Sequence, residues 1–206
     1  MTLWEPPANT CLVFDTSVLI EITNPTKPFH QQTIQALHTI ICKRKPTLII
    51  PSIAEYQLYQ WLPNIDMFNT TTQKLHDTGL SFELMNIYPE ACRLAILLSC
   101  LFRWEYDQKL SKGQVAKLET IDRADFLIGA FASVHEDKAG KNTYVVTFDQ
   151  HFGLIDGKYF RKTSKDYIVE NGRSTKRLYV YRPLTHAIYK NFMDYQKKWE
   201  IAHAKK

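Results

Sequence analysis

Cys11-Leu12-Val13-Phe14-Asp15-Thr16-Ser17 sets four mainly apolar residues in a row and stops them at an acid followed by two hydroxyls. A continuous apolar run this short reads as a β-strand buried on both faces, as in parallel sheets covered by helices, and the polar residues mark where it leaves the core. Further along, Phe29–Lys43 carries Ile34, Leu37 and Ile41 at helical spacing. Leu48–Ile50 is a second short apolar run closed by Pro51, and Ser52-Ile53-Ala54-Glu55 has the spacing of a capping box that opens a helix.

Helices are predicted over Asp66–Thr78 and over Pro89–Leu110, the second with an apolar face through Ala91, Leu94, Ala95, Leu98 and Leu101. Asp122–Glu136 is another, with Leu127, Ile128, Phe131 and Val134 on one side, and Thr143–Val146 is a strand running into Thr147-Phe148-Asp149. Alternation of strands and helices predicts an α/β fold: three layers, α/β/α, around a central, mainly parallel sheet. Beyond Phe152 the pattern loosens to a late edge strand at Leu178–Tyr181 and a final helix over Leu184–His203, striped by Ile188, Phe192, Tyr195 and Trp199. That stripe calls for a docking surface, either the host domain or a second copy in a homodimer. With no internal repeat and no Gly/Ser linker, the expected organisation is an N-terminal arm at 1–10, a main α/β domain at 11–155 with a helical insertion around 62–120, and an extension at 156–206 packed on the same domain.

Composition fits this. The chain has 206 residues, 45% of them hydrophobic, with 7 Gly and 9 Pro, which supports one sizeable core and rules out collagenous or disordered classes. Cys11, Cys42, Cys92 and Cys100 form no C-x-x-C pair and sit among apolar neighbours, as free thiols packed in a core do, so a reducing, cytoplasmic setting is expected. The longest apolar run, Ala91–Trp104, is interrupted by Arg93 and Arg103 and falls short of the roughly 20 residues that span a bilayer. The net charge of +5 is divided unevenly: residues 1–150 hold 13 Lys/Arg against 16 Asp/Glu, or −3, while 151–206 hold 13 against 5, or +8. A basic, tyrosine-containing tail suits a polyanion, and Tyr179 or Tyr181 among Lys162, Lys176 and Arg177 could stack on unpaired bases or pack the extension onto its host.

The acids locate the chemistry. In an open parallel sheet, the loops leaving the carboxyl ends of the strands converge on one edge. Asp15 and Asp149 lie at strand exits, Glu55 on the first turn of the helix after the second strand, and Asp125 at a helix start with Asp122 one turn before it. Carboxylates gathered in one cleft repel unless a cation accompanies them, and an oxygen-only ligand set favours Mg²⁺ or Mn²⁺. A Mg²⁺ site completed by substrate phosphate would join the acidic core to the basic tail in phosphodiester hydrolysis.

At these residues the chain resembles the PIN-domain nucleases. The likeness lies in Val13-Phe14-Asp15-Thr16-Ser17-Val18-Leu19-Ile20, in Ser52-Ile53-Ala54-Glu55, in Asp125-Phe126-Leu127-Ile128-Gly129-Ala130-Phe131-Ala132, and in Val145-Val146-Thr147-Phe148-Asp149-Gln150-His151-Phe152. Together these span about residues 11 to 152. The resemblance implies a PIN-like fold and a metal-dependent endoribonuclease, often the VapC-like toxin of a VapBC-type pair, cutting RNA with metal-activated water. It implies that Asp15, Asp125 and Asp149 hold the metal with Glu55 assisting, that Ser17 and Thr147 steady the cluster or a phosphate, and that a small antitoxin is a partner; Asp122 is an additional acid. The chain departs from compact members in the long stretch from Glu55 to Asp125 and in the residues after Asp149.

Each acid also has a capping explanation: Asp15 before a helix, Glu55 as the third residue after Ser52, Asp122 and Asp125 at capping spacing, Asp149 at a turn. Capping does not explain why all of them fall at one edge. The seven histidines show neither H-x-H nor H-E-x-x-H spacing, and G-x-S-x-G, P-loop and G-x-G-x-x-G patterns are missing, which removes zinc, serine-hydrolase, NTPase and dinucleotide chemistry. Gly129 is expected to permit close helix packing. Two competing functions stay open: a noncatalytic PIN-like module binding RNA or a protein, and a nuclease directed at DNA.

Overall fold

The computed structural model describes residues 4–42, 44–60, 70, 73–111, 123–150, 160–163, 167–184, 194, 197 and 201. Asp122, His151 and the stripe of the predicted final helix lie outside them.

Strand β1 (Thr10–Phe14) is buried along its whole length and forms the middle of the sheet. It pairs in parallel with β2 (Thr47–Pro51) on one side and β4 (Asn142–Thr147) on the other. Strand β3 (Phe82–Met85) extends the parallel half beyond β2. The connecting helices are α1 (Thr16–Thr23), α2 (His30–Ile41), α3 (Ser52–Gln60), α4 (Pro89–Ser111) and α5 (Arg123–Ala139). A further helical stretch occupies 73–77. The apolar face expected on α4 is the buried one: Ala91, Leu94, Ala95, Leu98 and Leu101 all pack into the core, against α5.

The region after residue 152 is more regular than its sequence suggests. Strands β5 (Phe160–Lys162), β6 (Tyr167–Asn171) and β7 (Ser174–Pro183) continue the structure, all paired antiparallel through β7. The segment read as a late edge strand is instead interior: β7 lies between β4 and β5, so the sheet order is β3-β2-β1-β4-β7-β5, with β6 hairpinned onto the other end of β7. Leu178, Val180 and Tyr181 are buried there, which explains why an edge position would not serve them. The middle of the chain likewise contributes a strand, β3, where only helices are expected from sequence.

The expectation for the cysteines is corrected in one respect. All four are free, but only Cys11 is buried; Cys42 sits at the end of α2, and Cys92 and Cys100 lie on the outward face of α4, opposite Ala91 and Leu98. No helix among the described residues is long and apolar enough to cross a membrane.

Candidate active site

The parallel connections bring the predicted acids to one edge. Asp15 directly follows β1 and serves as the N-cap residue of α1; its own N–H continues the sheet by donating to Val146 O at 3.1 Å. Glu55 is in the first turn of α3, which starts where β2 ends. Helix α5 leads through Gly140, at φ +61°, into the start of β4, so its first turn, with buried Asp125, stands at the opposite end, where β4 finishes. Asp149 follows β4 and is half-buried. Asp122 is outside the described residues.

Around Asp15 the hydrogen bonds are fully oriented. The residue is 4% exposed. Oδ2 accepts the Ser17 hydroxyl at 2.6 Å and the Thr147 hydroxyl at 2.7 Å. Ser17 Oγ accepts the Phe148 N–H at 3.1 Å, and Thr147 Oγ1 accepts the Asp149 N–H at 2.8 Å. Each hydroxyl has one proton, and both are spent on Asp15, so the 3.3 Å approach of Ser17 Oγ to Thr147 Oγ1 is a contact between acceptors. The 147–149 loop is thereby locked to the end of β1.

This arrangement is electrostatically costly. Burial pushes the Asp15 carboxyl above its usual range; the Ser17 and Thr147 hydroxyls and a backbone N–H at Thr16 oppose that, and the Asp149 charge adds to it. No Lys or Arg among the described residues is ion-paired with Asp15. Glu55 is also shifted upward by burial. Next to Asp15, the Thr16 hydroxyl donates to Gln57 Oε1 at 2.6 Å, tying α1 to the first turns of α3.

The four acids share an edge, yet among the described residues no three His, Cys, Asp or Glu side chains stand close enough to hold one metal ion. Asp149 stands near enough to Asp15 for its charge to raise the Asp15 carboxyl, though less than burial does. A buried carboxylate beside a second one, with hydroxyl donors on only one of its oxygens, suits a hard divalent cation, since Mg²⁺ is typically held by one or two carboxylates with water and phosphate completing its shell. Sequence reasoning missed Glu21 and read Lys176 only as part of the basic tail; the Lys176 ammonium lies 2.8 Å from Glu21 Oε2 and 4.2 Å from the Phe148 ring centroid. The available signal was an acid at the fourth position after Ser17, set in the apolar run Val18-Leu19-Ile20 and Ile22.

No protein-family profile matches the sequence, and no curated protein matches it either. Among solved structures, the chain is similar to VapBC2 from Rickettsia felis bound to a DNA fragment from its promoter, at 15% identity and a TM-score of 0.41, over 71% of this chain and 93% of that one. It is also similar to VapC20 of Mycobacterium tuberculosis, a toxin that cleaves the sarcin-ricin loop, at 12% identity and a TM-score of 0.42, over 70% of this chain and 95% of that one.

Proposed function

We propose that this chain is a PIN-type endoribonuclease dependent on Mg²⁺ or Mn²⁺, with Asp15 and Asp149 at its centre, Glu55 and Asp125 at the same edge, and RNA as substrate. The observation that carries the reading is the buried Asp15 carboxylate, oriented by Ser17 and Thr147 beside Asp149 and ion-paired with no Lys or Arg among the described residues. A carboxylate kept there for structure alone would be better replaced by a neutral group, because burying a charge without an opposite charge beside it is destabilising.

When bound, the divalent cation supplies positive charge against the two carboxylates and Lewis acidity for attack of water on phosphorus. The chain's own groups do the arranging. Ser17 and Thr147 fix one Asp15 oxygen and leave the other directed by that anchorage. The Asp149 backbone is fixed by Thr147, which sets the spacing of the two acids. Strand β7 runs beside β4 with Tyr179 opposite Thr147, and the exposed Arg173 and Arg177 precede it on the same strand or its turn, where they would attract a phosphate backbone. A small antitoxin protein as partner belongs to the same reading.

Cleavage assays with Asp15→Asn and Asp149→Asn test it. Both variants are expected to fold and to lose RNA hydrolysis; parental activity in both would refute the proposal. Adding Mn²⁺ at a hundred times its Kd should raise the parent's stability by about 2.7 kcal/mol, and Asp15→Asn should lose that gain. Side-by-side digestion of RNA and DNA separates the two substrates, and RNA binding with no metal-dependent cleavage would favour a noncatalytic module.

A further inference from the structure

Ser17 and Glu21 are four residues apart on α1 and therefore lie on one face of that helix. Glu21 is buried at 3% exposure, and its Oε1 accepts the Phe29 N–H at 2.9 Å. Its Oε2 accepts the Lys176 ammonium at 2.8 Å. The same ammonium stands 4.2 Å from the centroid of the Phe148 ring, a cation–π distance. Phe148 is the residue whose N–H donates to Ser17 Oγ, and it is flanked by Thr147 and Asp149. Helix α1 thus grips the 147–149 loop twice, directly through Ser17 and indirectly through Glu21 and Lys176. The hairpin that carries Lys176 is itself fastened to the α1–α2 turn, where the Asn171 amide donates to Pro28 O.

We propose that Lys176, ion-paired with Glu21, is a positioning residue of the active site: it seats the Phe148 ring and so holds Thr147 and Asp149 in register with Asp15. The catalytic consequence rests on the nuclease reading above; the loop-holding role does not. It also gives the β6–β7 hairpin, which lies outside the motif-bearing stretch, a share in the site. A direct phosphate contact by Lys176 is the competing role, but two of the ammonium's attachments are already made within the protein.

The test is amide hydrogen exchange and RNA cleavage kinetics on full-length Lys176→Met and Lys176→Arg. In Lys176→Met the amides of Phe148 and Asp149 should exchange at least about tenfold faster, those of Leu12–Phe14 unchanged. Its kcat for RNA should fall with KM and the salt dependence of KM as in the parent, and Lys176→Arg should restore protection of both amides. Unaltered exchange at Phe148 and Asp149 overturns the proposal. So does a raised KM whose salt slope is smaller by about one, the mark of a lost phosphate contact. Should Lys176→Met fail to fold because Glu21 is left buried and unpaired, the double variant Glu21→Gln, Lys176→Met removes both charges and carries the same expectations. Faster exchange in a protein whose parent cuts no RNA would uphold the loop-holding role while removing the nuclease reading.

Discussion

At the scale of single residues, the site and the core pull in opposite directions at Asp15. Burial and Asp149 both work against its charge, so the residue is retained at a cost in stability. Asp15→Asn keeps the shape and the acceptor oxygen for Ser17 and Thr147 while removing the charge. Its melting temperature in metal-free buffer should equal or exceed the parent's, while RNA cleavage falls by on the order of a hundredfold or more; a strongly destabilised variant would show that the carboxylate serves the fold. A second buried titrating group lies away from the site. His135 stacks on Phe131 and Tyr88, with Tyr88 Oη 3.0 Å from its Nδ1, and burial, aided by Lys141, holds its pKa below the ordinary 6.5. Well above pH 6.5 the ring is neutral in folded and unfolded chains alike, and it adds no pH dependence. As pH falls below 6.5 the unfolded chain takes up the proton first, so folding stability declines until the folded-state pKa is passed. Denaturant melts of parent and His135→Gln at pH 7 and at about pH 5 should show the parent losing more stability; parallel losses would contradict it.

Among elements, α5 and β5 pack closely at Gly129. A Cβ on Gly129 would lie 2.4 Å from Phe160 Cζ, and Phe160 is fully buried. Alanine gains roughly 1 kcal/mol of helix propensity over glycine, but overpacking a closed core costs about 1–3 kcal/mol. Gly129→Ala should therefore be net destabilising, and Phe160→Leu should recover part of the loss, both read by chemical denaturation; a stabilised Gly129→Ala would mean that β5 yields easily. This contact illustrates what sequence could and could not convey. Strands β1, β2 and β4 and helices α4 and α5 were legible because their burial, on both faces or on one stripe, is written into local apolar patterns. Strand β3 was not, since it is four residues long and exposes Glu83 and Leu84. The β6–β7 hairpin left one mark, Asn171-Gly172, a hairpin signal with Gly172 at φ +58° in the turn, whereas the apolar run Tyr167-Ile168-Val169 hides the alternation of buried and exposed residues along β6. Asp15, Ser17, Thr147 and Asp149 were legible as strand exits, whereas the Lys176–Glu21 pair joins residues 155 apart and has no local pattern to reveal it.

For the whole molecule, the question is whether the basic C-terminal part is an attachment or a component. Its charge, +8 over residues 151–206 against −3 before them, sets it apart, but the hydrogen bonding does not. Val145, Val146 and Thr147 pair with Tyr181, Val180 and Tyr179, so the strand ending at the acid loop has β7 as one of its two neighbours. Phe160, Leu178, Val180 and Tyr181 are buried against the rest, and at about 1.5–3 kcal/mol each they supply roughly 6–12 kcal/mol, as much as the net stability of an ordinary domain. A chain ended after Gln150 would lose that burial and expose the β4 backbone as an open apolar edge. Although it retains every motif-bearing acid, it should aggregate or melt without cooperativity, as monitored by size-exclusion chromatography and circular dichroism. A soluble monomer with a sharp melt would show instead that the parallel half closes its own core. Because Thr147 depends on β7 for its backbone pairing and on Asp15 for its hydroxyl, the truncated chain should lose its site together with its fold.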